Sequence, residues 1–361
     1  MSVPTLPGVD ARTVETERLT SRVLFSGPDD GIPVLFLHGN LSNATWWETT
    51  MLALPDGYRG IAPDQRGYGG ADPEALIDAT RGMGDLSDDA VALLDALEIP
   101  AAHVVGNSMG GSIVWRMMAD HPDRILSAVQ ADPGSPYGYG GTKDTEGTPT
   151  NPDFAGSGAG LINPQMVERL AAGDMSTDDQ LSPRNVFRAL LVKPPRVVER
   201  EDAYVQSMLE THFGPHAYPG DSEPSPNWPY VAPGRWGAAN GLSPKWSQDP
   251  QRLLDATPKP PVLWIRGADS QIISDAGPLD AGVWGPSGLV PGFPGSVAYP
   301  PHPMVSQIRA FLELYEEAGG DAREAAIEEC GHIPFLEQPE QFNDLLHAYL
   351  REIDNEGGNN R

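Results

Sequence analysis

A mostly parallel, doubly wound α/β sheet carrying an inserted cap is the fold that this 361-residue sequence predicts. Three observations predict it. Short apolar or β-branched runs alternate with segments of helical spacing up to residue 132, and the alternation resumes after residue 258. The intervening stretch, 133–258, is rich in Gly, Pro, Asn and Asp. His38, Ser108, Asp132, Asp269 and His332 all fall at predicted strand ends, hence along one edge of the sheet, where such folds place their working loops.

Leu19 to Phe25 reads as a first strand, closed by the turn residues of 27–31. Ile32 to Leu37 is continuously apolar, as expected of a strand covered on both faces, and it ends in His38-Gly39-Asn40. A helix follows through Trp46 and Trp47 to Leu54. Tyr58 to Ala62 is the next strand, running into Pro63-Asp64-Gln65-Arg66-Gly67-Tyr68-Gly69. Helical spacing of Val91, Leu93, Leu94 and Leu97 marks a helix over 85–97. A strand from Ala101 leads to Ser108, a helix follows it, and Ile125 to Ala131 is a further strand ending at Asp132.

The 133–258 segment shows short helical patches at 165–172, 183–192 and 201–211. It keeps Tyr204, Phe213, Trp228, Tyr230, Trp236 and Trp246, which a low-complexity linker would not, so it reads as a folded cap on a core made of 1–132 and 259–361. Pro261 to Arg266 resumes the sheet, a second Gly/Pro-rich insertion spans 278–303, and a helix runs from Met304 to Glu317. Glu324 to Glu329 is the last strand and Glu340 to Ile353 the closing helix, with a frayed tail expected from Asp354 to Arg361.

Composition narrows the partners. Fifty acidic against 24 basic residues give a net charge of −26, a surface that repels nucleic acid and anionic lipid. One cysteine, Cys330, rules out an internal disulfide framework. The first ten residues lack the pattern of a signal peptide and no run reaches membrane-span length, so a cytoplasmic protein with neither nucleic-acid nor membrane partners is expected. Its oligomeric state is left open. His103, His121, His212, His216, His302 and His347 show no metal-ligand spacing and read as structural or surface residues.

Gly106-Asn107-Ser108-Met109-Gly110 sits between a β-branched strand and a helix, the context in which G-x-S-x-G forms a nucleophile elbow. The turn is too tight for side chains two residues either side of the serine, and glycine removes the clash. The helix that follows aims its first N–H groups at whatever bonds to the serine.

With this elbow, His38-Gly39, the Asp64-x-Arg66-Gly67-x-Gly69 turn and Gly331-His332, the sequence resembles the α/β-hydrolase fold superfamily over nearly the whole chain outside the cap. It looks most like the serine-nucleophile branch, with a loop and acid position similar to those of haloalkane dehalogenases. The resemblance implies Ser108 as nucleophile, His332 as base, and the backbone N–H groups of Asn40 and Met109 as an oxyanion hole. It implies that His38 orients its loop and that Asp64 and Arg66 brace a turn. No cofactor or metal is implied.

The acid departs from the commonest pattern. Many family members carry it three residues after the glycine equivalent to Gly267, and here that position is Ser270. Asp269 is one residue earlier, where a strand-end side chain points the other way. Asp132, 24 residues after Ser108 at the next strand tip, resembles the acid of haloalkane dehalogenases and fungal zearalenone-type lactonases. Asp132 is favoured, with Asp269 the alternative. Dehalogenases and epoxide hydrolases of this fold use a carboxylate nucleophile, whereas a serine suits acyl transfer on a small-molecule ester or lactone. A C–C bond hydrolase, a hydroxynitrile-lyase-like enzyme or a perhydrolase could use the same residues. Trp228, Trp236 and Trp246 either contact substrate or form the cap's own small core.

Overall fold

The computed structural model describes residues 3–247 and 249–359. Among them eight strands form the main sheet: β1 (Asp10–Glu15), β2 (Thr20–Ser26), β3 (Ile32–Leu37), β4 (Tyr58–Pro63), β5 (Ala102–Ser108), β6 (Ile125–Pro133), β7 (Val262–Gly267) and β8 (Ala322–Ile327). Their order is β1-β2-β4-β3-β5-β6-β7-β8. β1 pairs with β2, and β2 with β4, antiparallel; every other pairing is parallel.

The continuous apolar runs of β3 and β5 follow from their central place. Period-two alternation sends Leu35, Leu37 and Val104 into the core on one face and Val34, Phe36 and Val105 into the core on the other. Helices α1 (Gly84–Ala96), α2 (Met109–Asp120) and α4 (Met304–Glu317) pack the first face, through Leu94, Trp115 and Phe311 among others. Helix α5 (Pro339–Asn359) covers the second, where Trp47 stacks on Phe335 with ring centroids 4.0 Å apart. Each fully buried Val, Leu, Ile or Phe contributes about 2 kcal/mol. Both faces are therefore needed to hold the strand tips in place.

Three expectations need correction. β1 carries no apolar run because its residues are mostly exposed on a sheet edge, so nothing in the pattern marked it. The helix expected through Trp46 is split: Ala44–Trp47 is a 3₁₀ turn, its Thr45 N–H bonded to the Asn43 side chain at 3.0 Å, and Glu48–Ala53 is α-helical. The tail expected to fray from Asp354 continues α5 to Asn359, with residues 360 and 361 outside the described residues. Asp354 is held there because its carboxylate accepts from the Tyr58 hydroxyl at 2.5 Å and lies 3.2 Å from His103 Nε2.

The 133–258 segment contains helical pieces at Pro164–Ala171 and Pro183–Val186, a π-helical turn at Phe187–Leu191, helix α3 (Glu201–Leu209) and a two-stranded ribbon of Ser222–Pro224 and Val231–Pro233. Phe187, Tyr204 and Met208 join the core on the α5 side of the sheet. Among the described residues no helix is long and apolar enough to cross a membrane.

Candidate active site

β5 passes into α2 through Ser108, whose backbone is forced to φ 56°, ψ −116°. A β-carbon at Gly106 would collide with the Gly110 carbonyl, and one at Gly110 with the carbonyl of Leu37. A non-glycine residue at positive φ is costly, and such strain concentrates at working sites. Asp132 (φ 50°) and Leu41 (φ 52°) share it at the neighbouring strand tip and loop. Ser108 is partly exposed and heads the helix whose first N–H groups lack intrahelical acceptors.

At the tip of β6, Asp132 is wholly buried and its Oδ2 lies 2.6 Å from His332 Nδ1. The same oxygen accepts the Ser270 hydroxyl at 2.6 Å. Burial pushes the Asp132 carboxyl above the ordinary carboxylate range, opposed by the bonds from His332 and Ser270 and the positive charge of Arg266. Asp269 stands elsewhere: its carboxylate takes the Lys193 ammonium at 2.9 Å, and Lys193 also reaches Glu329 at 2.5 Å. One residue's difference at the end of β7 turns the side chain away, as strand alternation dictates.

The loop that carries His332 is clamped from several sides. Glu337, in the first turn after Pro334, accepts from the N–H groups of Gly331 at 2.9 Å and Lys193 at 2.8 Å. The His332 N–H donates to the Leu191 carbonyl at 2.9 Å, and Asn107 Nδ2 donates to the carbonyls of Ala131 at 2.8 Å and His332 at 3.2 Å. Asn107 thus clasps the ends of β5 and β6 to the histidine loop. The sequence reading missed Glu337, Asn107 and Leu191. Only Glu337 left a signal, since a glutamate in a helix's first turn can reach back to N–H groups before it.

Gly39 runs beside the serine: a β-carbon on it would lie 3.1 Å from Ser108 Cβ. His38 is fully buried and accepts from the Gln65 N–H through Nε2 at 3.0 Å, so Nδ1 carries the proton and donates to the Gly39 carbonyl at 2.8 Å. Burial lowers its pKa to about 4, so it stays neutral and fixes the loop. Asn40 follows, its Oδ1 accepting the Tyr68 hydroxyl at 2.7 Å, and Tyr68 also abuts Met109 Sδ at 3.6 Å. Asp64 accepts from the N–H groups of Ala44 and Gly70 and from Arg22, and Arg66 makes a bidentate pair with Asp89 at 2.7 and 2.8 Å. Both are braces.

Trp228, Trp236 and Trp246 each pack against neighbouring aromatic or cationic side chains. Trp228 packs against Trp284, Phe293 and Tyr299 and donates to the Val290 carbonyl at 3.2 Å, a small core shared with the 278–303 insertion. Trp236 lies against His216 and Arg235. Trp246 donates to the Gly234 carbonyl at 2.9 Å beneath Lys245. A second Ser–His–Asp row, Ser127–His103–Asp354, lies at the opposite end of the sheet. Ser127 and His103 are completely buried there.

A family model described as the alpha/beta hydrolase fold matches residues 32–281, and the chain belongs to that family. Within it, the chain is 32% identical over 133 residues to an AB hydrolase superfamily protein of Bacillus subtilis, a match covering 37% of this chain and 46% of that one. It is 39% identical over 102 residues to a 2-hydroxymuconate semialdehyde hydrolase of a Pseudomonas species, covering 27% and 35%. The chain thus spans less than half the length of these curated relatives. A serine hydrolase from the polyaromatic-hydrocarbon-degrading bacterium Cycloclasticus zankles shares the fold at a TM-score of 0.60 and 16% identity, with 95% of this chain and 98% of that one covered.

Proposed function

We propose that this protein is a serine hydrolase that cleaves a carboxylic ester or lactone through an acyl-enzyme. The observation that carries the reading is the 2.6 Å contact between Asp132 and His332 Nδ1, on the sheet edge where the strained Ser108 turn lies. With Nδ1 bonded to the carboxylate, Nε2 is left to accept the Ser108 proton. The serine oxygen then attacks the substrate carbonyl, and the resulting oxyanion takes hydrogen bonds from the N–H groups of Met109 and Asn40. Collapse breaks the C–O bond, and the imidazolium gives its proton to the departing alkoxide. Water, deprotonated by His332, cleaves the acyl-serine; the acid leaves and Ser108 recovers its proton.

An aryl phosphonate serine reagent followed by peptide mass mapping tests this. Labelling on Ser108, lost in Ser108→Ala and His332→Ala, supports acyl chemistry; labelling of another residue overturns it. The similarity to a 2-hydroxymuconate semialdehyde hydrolase favours C–C bond cleavage as a second reading on the same residues. The ratio of kcat/KM on 2-hydroxymuconate semialdehyde to that on a simple aryl ester discriminates: the ester is preferred in the first reading and the semialdehyde in the second.

A further inference from the structure

We propose that Ser270 is a positioning residue for the Asp132–His332 pair, holding the carboxylate through the oxygen that faces the imidazole. The inference rests on the reading of Asp132 as the acid.

Ser270 is buried, and its hydroxyl is 2.6 Å from Asp132 Oδ2, the oxygen that His332 Nδ1 also reaches at 2.6 Å. The Ile273 N–H donates to the Ser270 oxygen at 3.2 Å, which occupies that side of the hydroxyl and leaves its hydrogen to point at the carboxylate. The serine cannot drift, because its loop is stitched to the last strand and to the histidine loop. The Ala268 N–H donates to the Ile327 carbonyl at 2.9 Å and the Asp269 N–H to the Cys330 carbonyl at 2.9 Å. Asp132 Oδ1, by contrast, is buried and takes no hydrogen bond from the described residues. The two donors that the described residues offer this carboxylate therefore meet it at one oxygen. Without Ser270 the imidazole alone would hold it, and the group could rotate toward its unpartnered side.

The position matters electrostatically as well. A donor shared with Oδ2 makes the carboxylate a weaker acceptor for the imidazolium, which tunes how tightly the pair retains its proton. Arg266, Cys330, Glu337, Lys193, Asp269 and Glu329 are the other titratable or charged groups around this pair among the described residues. Arg266, on β7, is occupied by Glu324 at 2.7 Å. The Cys330 thiol, beside the histidine loop, has its pKa pushed up by burial. Glu337 is spent on backbone N–H groups, and Lys193 bridges Asp269 and Glu329, so one net negative charge is left on that exposed trio. Removing the Ser270 hydroxyl therefore leaves the imidazolium facing a more basic carboxylate, and the acid limb of the pH–rate profile moves to higher pH.

The test is the pH dependence of kcat/KM on an activated aryl ester for the wild type, Ser270→Ala, Ser270→Cys and Ser270→Thr. Ser270→Ala and Ser270→Cys, the latter keeping the volume with a weak donor, should lose roughly tenfold in kcat at unchanged KM. Both should shift the acid limb upward, while Ser270→Thr, which retains the hydroxyl, keeps the wild-type profile. If Ser270→Ala does not fold, Ser270→Cys alone decides. Wild-type profiles in the Ala or Cys variant, or loss of rate with an unmoved acid limb, overturn the inference. Asp132→Asn, measured alongside, separates the two readings: full activity there removes the triad assignment itself, whatever Ser270 does.

Discussion

Lys193 and Asp269 form an ion pair 2.9 Å long that keeps the Asp269 carboxylate partly exposed and engaged away from the imidazole of His332. Asp132, at the neighbouring strand tip, is buried and bonded to that imidazole. Asp132→Asn is expected to lower kcat by about 10⁴, because an amide orients the ring poorly and cannot balance the imidazolium. Asp269→Asn should stay within a few-fold of the wild type, since an exposed ion pair is worth at most about 1 kcal/mol. Steady-state kinetics of the two variants on one ester check both statements.

Glu337 gathers the N–H groups of Gly331 and Lys193 beneath the histidine loop. Glu337→Ala would leave these buried donors unpaired, at about 1–3 kcal/mol each. Lower stability in urea together with a fall in kcat at nearly unchanged KM is expected; a stable variant of full activity would remove the clamp from the account.

Gly110 has no room for a methyl group, because its β-carbon would meet the carbonyls of Leu37 and His38. Backbone cannot step aside as a side chain can. Gly110→Ala should therefore cost about 3 kcal/mol or more and accumulate as insoluble protein on expression, read out by soluble yield and thermal midpoint.

His38 sets a pH signature. Its folded pKa is depressed to about 4 from 6.5, so below pH 6.5 the unfolded chain takes up a proton that the native protein refuses. The stability contributed by neutral His38 is complete above pH 6.5 and is lost as pH falls toward 4, by about 3 kcal/mol in total. The stability difference between the wild type and His38→Asn should therefore shrink steadily from pH 7 to pH 4.5 in denaturant titrations. A constant gap would show that His38 is not the residue responsible.

Trp228 anchors the small aromatic cluster with Trp284, Phe293 and Tyr299. Trp228→Ala should destabilise by about 3–5 kcal/mol. Loss of stability is expected to precede any change in KM for small esters, and a raised KM in a fully stable variant would instead place Trp228 against substrate.

The parallel core was legible because burial on both faces leaves an unbroken apolar run, as in Ile32–Leu37, whose bounds match the observed strand. The serine turn was legible because only glycine fits at 106 and 110. β1 was not, since an exposed edge strand such as Asp10–Glu15 makes no hydrophobic demand on its residues. Ser270 was read only as a residue unable to carry charge; that its hydroxyl meets Asp132 depends on two strand tips being neighbours, which no local pattern encodes. Asn107 and Leu191 escaped for the same reason, because their contacts with the histidine loop bridge segments far apart in the chain. The aromatics of 133–258 marked a segment with packing of its own, while their partners depend on its irregular path.

The bond from the His332 N–H to the Leu191 carbonyl means that part of the cradle for this imidazole is donated by the 133–258 segment. The segment is consequently no interchangeable hat: replacing it with a foreign one would also loosen the loop that carries His332. With His332 as the proposed base, variation in this segment would reach turnover through the backbone that seats the ring.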